Sequence, residues 1–301
     1  MPSALPIVVS PSRPAVAGAD PSLVISTEQR WRPRLQRLRQ VFHDSDRWVV
    51  AFSGGVDSAV VLQVAVQERG EDVLALTAVS DTLPDSERLE CERLAARIGA
   101  EHLFVTTDEM SVPGFFTNPT NRCYFCKTEL YSVAREHALR LGYGRVADGV
   151  NTDDLGDHRP GLIAAKEHTV VHPLVEADMN KADTRAVAHA LGLDVWDKPA
   201  FACLSSRFPY GTQITKERLT MVGSVEHLLK ELGFRQYRVR YHDDLCRIEV
   251  MPADLPRLVE EAIRNQVVDT CRSVGFQHVT VDLRGFRSGS LNEALAPPSD
   301  S

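Results

Sequence analysis

The 301-residue sequence lacks the features that define several large classes of protein. No apolar run approaches the roughly 20 residues that cross a bilayer, so a transmembrane helix is not expected. The Pro-, Ala- and Ser-rich start, residues 1–20, has no basic segment before a compact apolar core, so it does not fit a secretory signal. The net charge of −7 argues against general binding to nucleic acid, which needs clustered cations.

Cysteine is scarce, but its spacing is informative. The six cysteines include one C-x-x-C, Cys123 and Cys126, with no second C-x-x-C and no nearby Cys-His pair to complete a zinc site. A lone C-x-x-C fits zinc, an iron–sulfur cluster or a redox disulfide. With Cys203, it could hold a [4Fe–4S] cluster that leaves one iron open, although three unrelated thiols would also fit. This pattern of cysteines, suited to thiol or metal chemistry, is typical of proteins in a reducing cytoplasm, which is the expected location. Buried, inert thiols are expected at Cys91, Cys246 and Cys271.

The motif SGGVDS at residues 53–58 is the strongest functional signal. It follows the apolar run 48–52 and opens the helix-like run 59–66, an arrangement that surrounds an anion with backbone N–H groups. The glycines allow close approach of a phosphate, and Asp57 can hold the Mg²⁺ of a triphosphate. The Walker A pattern GxxxxGK[ST] is absent. The motif instead resembles the PP-loop of ATP pyrophosphatases, which implies ATP binding by Ala51, Phe52, Ser53, Gly54, Gly55, Val56, Asp57 and Ser58.

Two other polar patterns are candidate binding sites. The loop DGVNTDDLGDHRP at residues 148–160 could share a magnesium ion with Asp57 and contact phosphate through Arg159, although a solvated acidic turn has the same composition. Farther along, Arg238 and Arg240 alternate onto one face of a strand. Paired arginines suit bidentate capture of phosphate or carboxylate, and a solvated strand face fits this spacing equally well.

Alternating strand and helix patterns predict an α/β fold, with a doubly wound parallel sheet followed by a smaller α+β domain. In the first part, strands are expected at 48–52, 73–79, 102–105 and 145–148. Helices between and before them are expected at 27–43, 84–98 and 126–141.

After residue 211 the pattern changes to half-buried strands and amphipathic helices. Strands are expected at 237–241, 247–250 and 278–283, and helices at 215–232 and 255–268. The expected divisions are a disordered tail (1–26), a PP-loop ATP pyrophosphatase domain (27–210), a C-terminal α+β domain for substrate binding or oligomerisation (211–293) and a frayed tail (294–301).

Four separated blocks together resemble the LarE family, PP-loop ATP-dependent sulfur transferases that help to make the nickel-pincer nucleotide cofactor. The likeness runs from about Leu35 to Glu293. The blocks are SGGVDS at Ser53, NPTNRCYFCK at Asn118, DGVNTDDLGDHRPG at Asp148 and CLSSRFPYG at Cys203. The thiol arrangement with RFPYG is far more specific than SGGVDS, which by itself indicates only a PP-loop.

The resemblance implies a reaction. ATP adenylates a carboxylate of pyridinium-3,5-biscarboxylic acid mononucleotide and releases pyrophosphate, and a sulfur nucleophile then displaces AMP to give a thiocarboxylate. The family draws sulfur either from a cysteine at the position of Cys203, which it sacrifices, or from a sulfide on a [4Fe–4S] cluster held by three cysteines. Because this chain has all three cysteines, we favour the cluster.

The resemblance also assigns roles to individual residues. Cys123, Cys126 and Cys203 are expected to be catalytic and to bind the iron–sulfur cluster. Gly149 is expected to join the ATP-binding residues, and Asp57 and Asp153 to bind magnesium. By position, Arg207, Arg238 and Arg240 are expected to hold the phosphate or carboxylate of the substrate, and Arg159 of the 148–160 loop is expected to join them in substrate binding.

Other functions remain open from the sequence. A tRNA thiolase should carry a basic stripe, which this acidic chain lacks, and an amide-forming enzyme of the NAD synthetase kind leaves the C-x-x-C without a role. A nucleotide-binding regulator with a structural metal site is a third alternative. The resemblance further implies a homo-oligomer, and no membrane or nucleic-acid partner is expected.

Overall fold

The computed structural model describes residues 21–43, 46–112, 114–155, 160–199 and 202–291, with side chains from Arg30 onward. Arg159 and the predicted tail at 294–301 lie outside the described residues, as do the first 20 residues of the predicted N-terminal tail. Within the described part, no helix is both long enough and apolar enough to cross a membrane.

A four-stranded parallel sheet lies at the centre of the first part of the chain. Its strands are β1 (Trp48–Ala51), β2 (Val73–Val79), β3 (Glu101–Thr106) and β4 (Arg145–Ala147). They lie in the order β3-β2-β1-β4, and every pairing is parallel. The order reverses between β1 and β4, which creates a crevice at the carboxyl ends of these two strands. The predicted α/β fold with a parallel sheet is confirmed.

Helices cover both faces of this sheet, because its strands are apolar on both sides. The helices are α1 (Pro21–Val41), α2 (Val56–Arg69), α3 (Asp85–Ile98), α4 (Arg122–Leu141), α5 (Pro160–Glu167), α6 (Pro173–Glu176) and α7 (Lys181–Ala190). Along β1, Trp48 and Val50 pack into the core under α2 and α3, whereas Val49 points into the core under α4. This alternation follows the two-residue period of a strand.

The second part is a small α+β unit whose core also takes in Phe115, Leu204 and Phe208 from the preceding chain. It comprises α8 (Lys216–Glu231), β5 (Tyr237–His242), β6 (Leu245–Val250), α9 (Leu255–Leu258), α10 (Glu261–Ser273) and β7 (His278–Val281). β5 and β6 form an antiparallel hairpin, and β7 pairs with β6 in parallel after the helices. The single helix predicted at 255–268 is wrong, because Glu260 adopts an extended conformation (ψ 138°) that separates α9 from α10.

Candidate active site at the carboxyl edge of the sheet

The SGGVDS turn connects β1 to α2 in the crevice of the sheet. Gly54 has φ +66°, and a Cβ atom there would lie 2.8 Å from the Sγ atom of Cys91, so glycine is required for both reasons. The turn is also tied internally: the Ser58 hydroxyl accepts a hydrogen bond from the Ser53 backbone N–H (3.2 Å) and lies 3.2 Å from the Gly55 carbonyl. The result is a rigid turn at the N-terminus of α2, a geometry that suits phosphate binding.

Gly149, in the loop after β4, packs against the start of α2. A Cβ atom at this position would lie 2.7 Å from the Ser58 backbone nitrogen. The neighbouring Asp148 is buried. Its carboxylate accepts a hydrogen bond from the Tyr131 hydroxyl (2.6 Å) and lies 2.7 Å from His172 Nδ1. Burial alone would raise the pKa of Asp148, but the hydrogen bond with His172 holds it below the ordinary value. Asp148 thus fixes this loop beside the predicted nucleotide site.

The carboxylates of Asp57 and Asp154 are near enough to influence each other electrostatically. Burial, reinforced by the charge of Asp154, raises the pKa of Asp57 to about 6. Asp154 is buried. It accepts a hydrogen bond from the Asn151 backbone N–H and forms an ion pair with the Lys181 ammonium, both at 3.2 Å. Asp153, the predicted magnesium ligand, is exposed and accepts a hydrogen bond from the Lys181 backbone N–H (3.0 Å). The carboxylate beside Asp57 is therefore that of Asp154, which the sequence analysis missed.

The C-x-x-C lies at the start of α4. This helix begins at Arg122, four residues before the predicted start at Cys126, so both cysteines are helical. Cys123 and Cys126 are three residues apart and so lie on one side of the helix. The Arg122 guanidinium is buried and donates to the Ser205 carbonyl (2.9 Å) and to the Asn118 side chain. This contact brings the start of α4 next to the segment that carries Cys203.

The three predicted catalytic thiols approach one another at this point. Burial is the main cause of the raised pKa of the Cys126 thiol, and the nearby Cys203, Glu109 and Cys123 raise it further. Cys123 and Cys203 are exposed, while Cys126 is half-buried. Glu109, which the sequence analysis did not identify, is buried, and its Oε1 atom lies 4.0 Å from the Cys126 Sγ atom. In the described part of the chain, no three His, Cys, Asp or Glu side chains are arranged to hold a metal ion.

Arg207 fixes the backbone around Cys203. Its side chain is fully buried, and Nη1 donates to the carbonyls of Ala202 (2.7 Å) and Cys203 (3.1 Å). Nε and Nη2 bind the two carboxylate oxygens of Glu226 at 2.7 and 2.8 Å. Such a bidentate pair holds the guanidinium in one orientation. Arg207 therefore connects the Cys203 segment to α8 of the second unit.

The other two predicted substrate arginines lie in the same buried region. Arg240 forms a bidentate ion pair with Glu249 (3.0 and 2.9 Å) and donates to the Ser206 carbonyl (2.8 Å). Burial, together with the nearby positive charge of Arg207, lowers the pKa of Arg238 to about 10. A phosphate at this site would have to compete with these carboxylates, so the role of the three arginines in substrate binding stays a prediction.

No protein-family model matches this chain. It is 47% identical over 262 residues to an uncharacterized protein of Synechocystis sp., with 87% of this chain and 98% of the relative covered. It is 26% identical over 240 residues to an uncharacterized protein of Methanocaldococcus jannaschii, with 80% and 90% covered. It is also 40% identical over 253 residues to the pyridinium-3,5-bisthiocarboxylic acid mononucleotide synthase of Lactiplantibacillus plantarum, with 84% of this chain and 91% of that synthase covered. At this identity and coverage, the chain belongs to the LarE family of sulfur transferases.

Proposed function

We propose that this protein converts the carboxylates of pyridinium-3,5-biscarboxylic acid mononucleotide into thiocarboxylates at the expense of ATP. The observation that carries the proposal is an anion-binding turn, residues 53–55, at the carboxyl edge of the sheet, in a chain where the Arg122 contact to Ser205 brings the C-x-x-C next to the residues that follow Cys203. The name of the Lactiplantibacillus relative, a synthase of the bisthiocarboxylic acid mononucleotide, supports the choice of substrate.

The first step is activation of a carboxylate, because a free carboxylate is a poor electrophile. One carboxylate oxygen attacks the α-phosphorus of ATP, the bond to the β-phosphate oxygen breaks, and pyrophosphate leaves as the acyl-adenylate forms. The backbone N–H groups at the start of α2 would bind the phosphates beside Gly54 and Gly55. Gly149 lies close enough to Ser58 to complete one wall of this site.

Magnesium fits the paired carboxylates of Asp57 and Asp154. Both are hard oxygen donors of the type that Mg²⁺ prefers, and a cation would offset the burial and the charge of Asp154 that together raise the pKa of Asp57. When bound, the ion would neutralise part of the triphosphate charge. We propose Asp154 rather than the exposed Asp153 as the partner of Asp57.

The second step is delivery of sulfur. A sulfur nucleophile attacks the acyl carbon, the bond to the AMP oxygen breaks, and AMP leaves with the electron pair. Cys123, Cys126 and Cys203 supply the three thiols that a [4Fe–4S] cluster with one open iron requires, and Cys126 senses the charge of the other two, although the described side chains are not gathered around a metal position. When bound, that cluster would supply a sulfide. In the alternative, the exposed Cys203 thiolate attacks the acyl carbon and displaces AMP, and β-elimination then removes the Cys203 α-proton and breaks its Cβ–S bond, which leaves the sulfur on the product and dehydroalanine in the chain.

We further propose a homo-oligomer in the cytoplasm. The low cysteine content with a single C-x-x-C suits a reducing compartment. Size-exclusion chromatography with light scattering tests the oligomeric state, and cell fractionation tests the location.

The test uses protein purified without oxygen, mixed with MgATP and the pyridinium dicarboxylate mononucleotide. We expect one AMP and one pyrophosphate for each thiocarboxylate, measured by mass spectrometry. Cys203→Ala should abolish thiocarboxylate formation and retain pyrophosphate release, whereas Cys271→Ala, a buried thiol of the second unit, should behave like wild type. Unchanged thiocarboxylate yield from Cys203→Ala contradicts the assignment. Iron and sulfide content then separates the two sulfur sources, because only the sacrificial reaction proceeds once per chain in iron-free protein.

A further inference from the structure

Lys198 is a half-buried lysine outside the set of residues described so far. Its ammonium lies 2.8 Å from a carboxylate oxygen of Glu87 and 2.8 Å from one of Glu90, both on α3. Its third contact is the backbone carbonyl of Gly54, at 3.4 Å. An ammonium has three N–H donors, so these contacts use all of them. Lys198 thus joins α3 to the turn at which ATP is proposed to bind.

A second lysine, Lys230 on α8, shares the same two carboxylates. Its ammonium lies 2.5 Å from Glu90 Oε1 and 3.4 Å from Glu87 Oε1. The two lysines and two glutamates therefore balance in charge. Their positions differ: the Lys198 side chain is 16% exposed and contacts Gly54, whereas the Lys230 side chain is 35% exposed, and Glu87 and Glu90 are its hydrogen-bond partners.

Lys198 also lies on the segment that carries the reactive thiol, five residues before Cys203. On the other side of Cys203, Arg207 anchors the backbone to Glu226 of the second unit. In the sequence, Cys203 therefore lies between two anchored cations, the half-buried Lys198 at the nucleotide turn and the buried Arg207 bound to α8, with residues 200–201 outside the described part of the chain. The distance from Cys203 to the activated acyl group depends on both anchors, and a displacement of about 1 Å in such a position can cost about 100-fold in rate.

We propose that Lys198 is a positioning residue that holds the Cys203 segment against the Gly54 turn, so that sulfur transfer is matched to the nucleotide. This inference rests on the proposed function. It adds that Lys198 serves the sulfur-transfer step and not the adenylation step, and that occupancy of the turn is communicated to Cys203 through Lys198.

The matched pair of variants is Lys198→Met and Lys230→Met. Each removes one positive charge from Glu87 and Glu90, but only the first removes a contact to Gly54, made by a residue five positions before Cys203. In single-turnover reactions, we expect Lys198→Met to release pyrophosphate within about threefold of the wild-type rate and to form thiocarboxylate about 10–100-fold more slowly. Lys230→Met should stay within about threefold of wild type in both steps, and Lys198→Arg should recover most of the transfer rate.

A second measurement follows Cys203 without any turnover. Iodoacetamide labelling, quantified on the Cys203 peptide against the Cys123 peptide, is carried out with and without a non-hydrolysable ATP analogue at saturation. We expect the analogue to change the labelling rate of Cys203 about threefold or more in wild type and in Lys230→Met, and to leave it unchanged in Lys198→Met. Because labelling needs only nucleotide binding, it remains decisive if Lys198→Met transfers no sulfur at all.

The inference is overturned if Lys198→Met and Lys230→Met lose sulfur transfer equally, or if Lys198→Met keeps the response of Cys203 to the analogue. If Lys198→Met does not fold, the same comparison is made with Lys198→Ala and Lys230→Ala, which remove the same contacts to Gly54, Glu87 and Glu90. Wild-type protein that releases no pyrophosphate with the substrate overturns the proposed function instead, so the two failures are distinguishable.

Discussion

Removing either partner of the buried Arg207–Glu226 ion pair should destabilise the protein, and by unequal amounts. Both side chains are buried, and the pair belongs to a cluster of three arginines and two glutamates with Arg238, Arg240 and Glu249. Glu226→Met leaves three guanidinium groups and one carboxylate in this cluster. Arg207→Met leaves two of each, and it also removes the charge that lowers the pKa of Arg238. The loss of Glu226 should therefore be the more costly.

Loss of one partner from a buried ion pair costs about 3–5 kcal/mol. We expect about 5 kcal/mol for Glu226→Met, because the fully buried Arg207 then lacks its counterion. We expect about 3 kcal/mol for Arg207→Met, because Glu226 still accepts a hydrogen bond from the Val239 backbone N–H (3.0 Å). The double variant, which replaces both charges with apolar side chains, should cost less than either single change, since no buried charge is left unpaired.

Urea unfolding at pH 7 measures these free energies of unfolding. If the slope of the free energy against urea concentration is the same in all variants, the same unfolding transition is being compared. Sulfur transfer is then assayed on the same proteins. The double variant should be close to wild type in stability but remain defective in transfer, because nothing replaces the Arg207 contacts to the carbonyls of Ala202 and Cys203. The reasoning is refuted if Arg207→Met costs more than Glu226→Met, or if the double variant costs the sum of the two.

Three further predictions concern the nucleotide site. Gly149→Ala should cost about 1–3 kcal/mol in urea unfolding and weaken ATP binding in calorimetry, because its Cβ would lie 2.7 Å from the Ser58 backbone nitrogen; unchanged values would contradict this packing. The pKa of Asp57 is about 6 in the folded chain against 3.8 ordinarily, so its protonated form favours folding, and that stability is lost as pH rises through 6. In EDTA at pH 8, Asp57→Asn should thus raise the melting temperature, with a gain of at most about 3 kcal/mol in the free energy of unfolding, and at pH 4 it should have little effect. A larger gain at pH 4 than at pH 8 would contradict the raised pKa. Asp154→Asn should raise the Mg²⁺ concentration for half-maximal pyrophosphate release about tenfold or more, whereas Asp153→Asn should change it by about twofold or less, and equal effects would contradict the choice of Asp154.

The parallel sheet could be predicted because its strands are short apolar runs and each is followed by an amphipathic helix. The same logic placed SGGVDS between β1 and α2, where the structure has it. The start of α4 could not be predicted, because it depends on the contact of Arg122 with Ser205, 83 residues later. The separation of α9 from α10 is set by the backbone of Glu260, which sequence periodicity does not report.

At the candidate site, too, some features could be predicted from the sequence and others could not. The residue types at positions 53–58, 123, 126 and 203 carry the chemistry, so the motifs alone identify them. Asp153 and Asp154 are adjacent, and composition cannot tell which one faces Asp57; the N-x-x-D spacing of a capping box from Asn151 to Asp154 was the available signal. The pairing of Arg207 with Glu226 and the contact of Lys198 with Gly54 are long-range, and only the fold reveals them.

The most direct test of the account is a single-turnover reaction of the oxygen-free wild-type protein with MgATP and the pyridinium dicarboxylate mononucleotide, followed by mass spectrometry of the small molecules. The account predicts AMP, pyrophosphate and a product in which sulfur has replaced a carboxylate oxygen, and it predicts that Cys203→Ala yields AMP or acyl-adenylate and pyrophosphate without that product. A sulfur-containing product from Cys203→Ala, or no pyrophosphate from the wild-type protein, would contradict it.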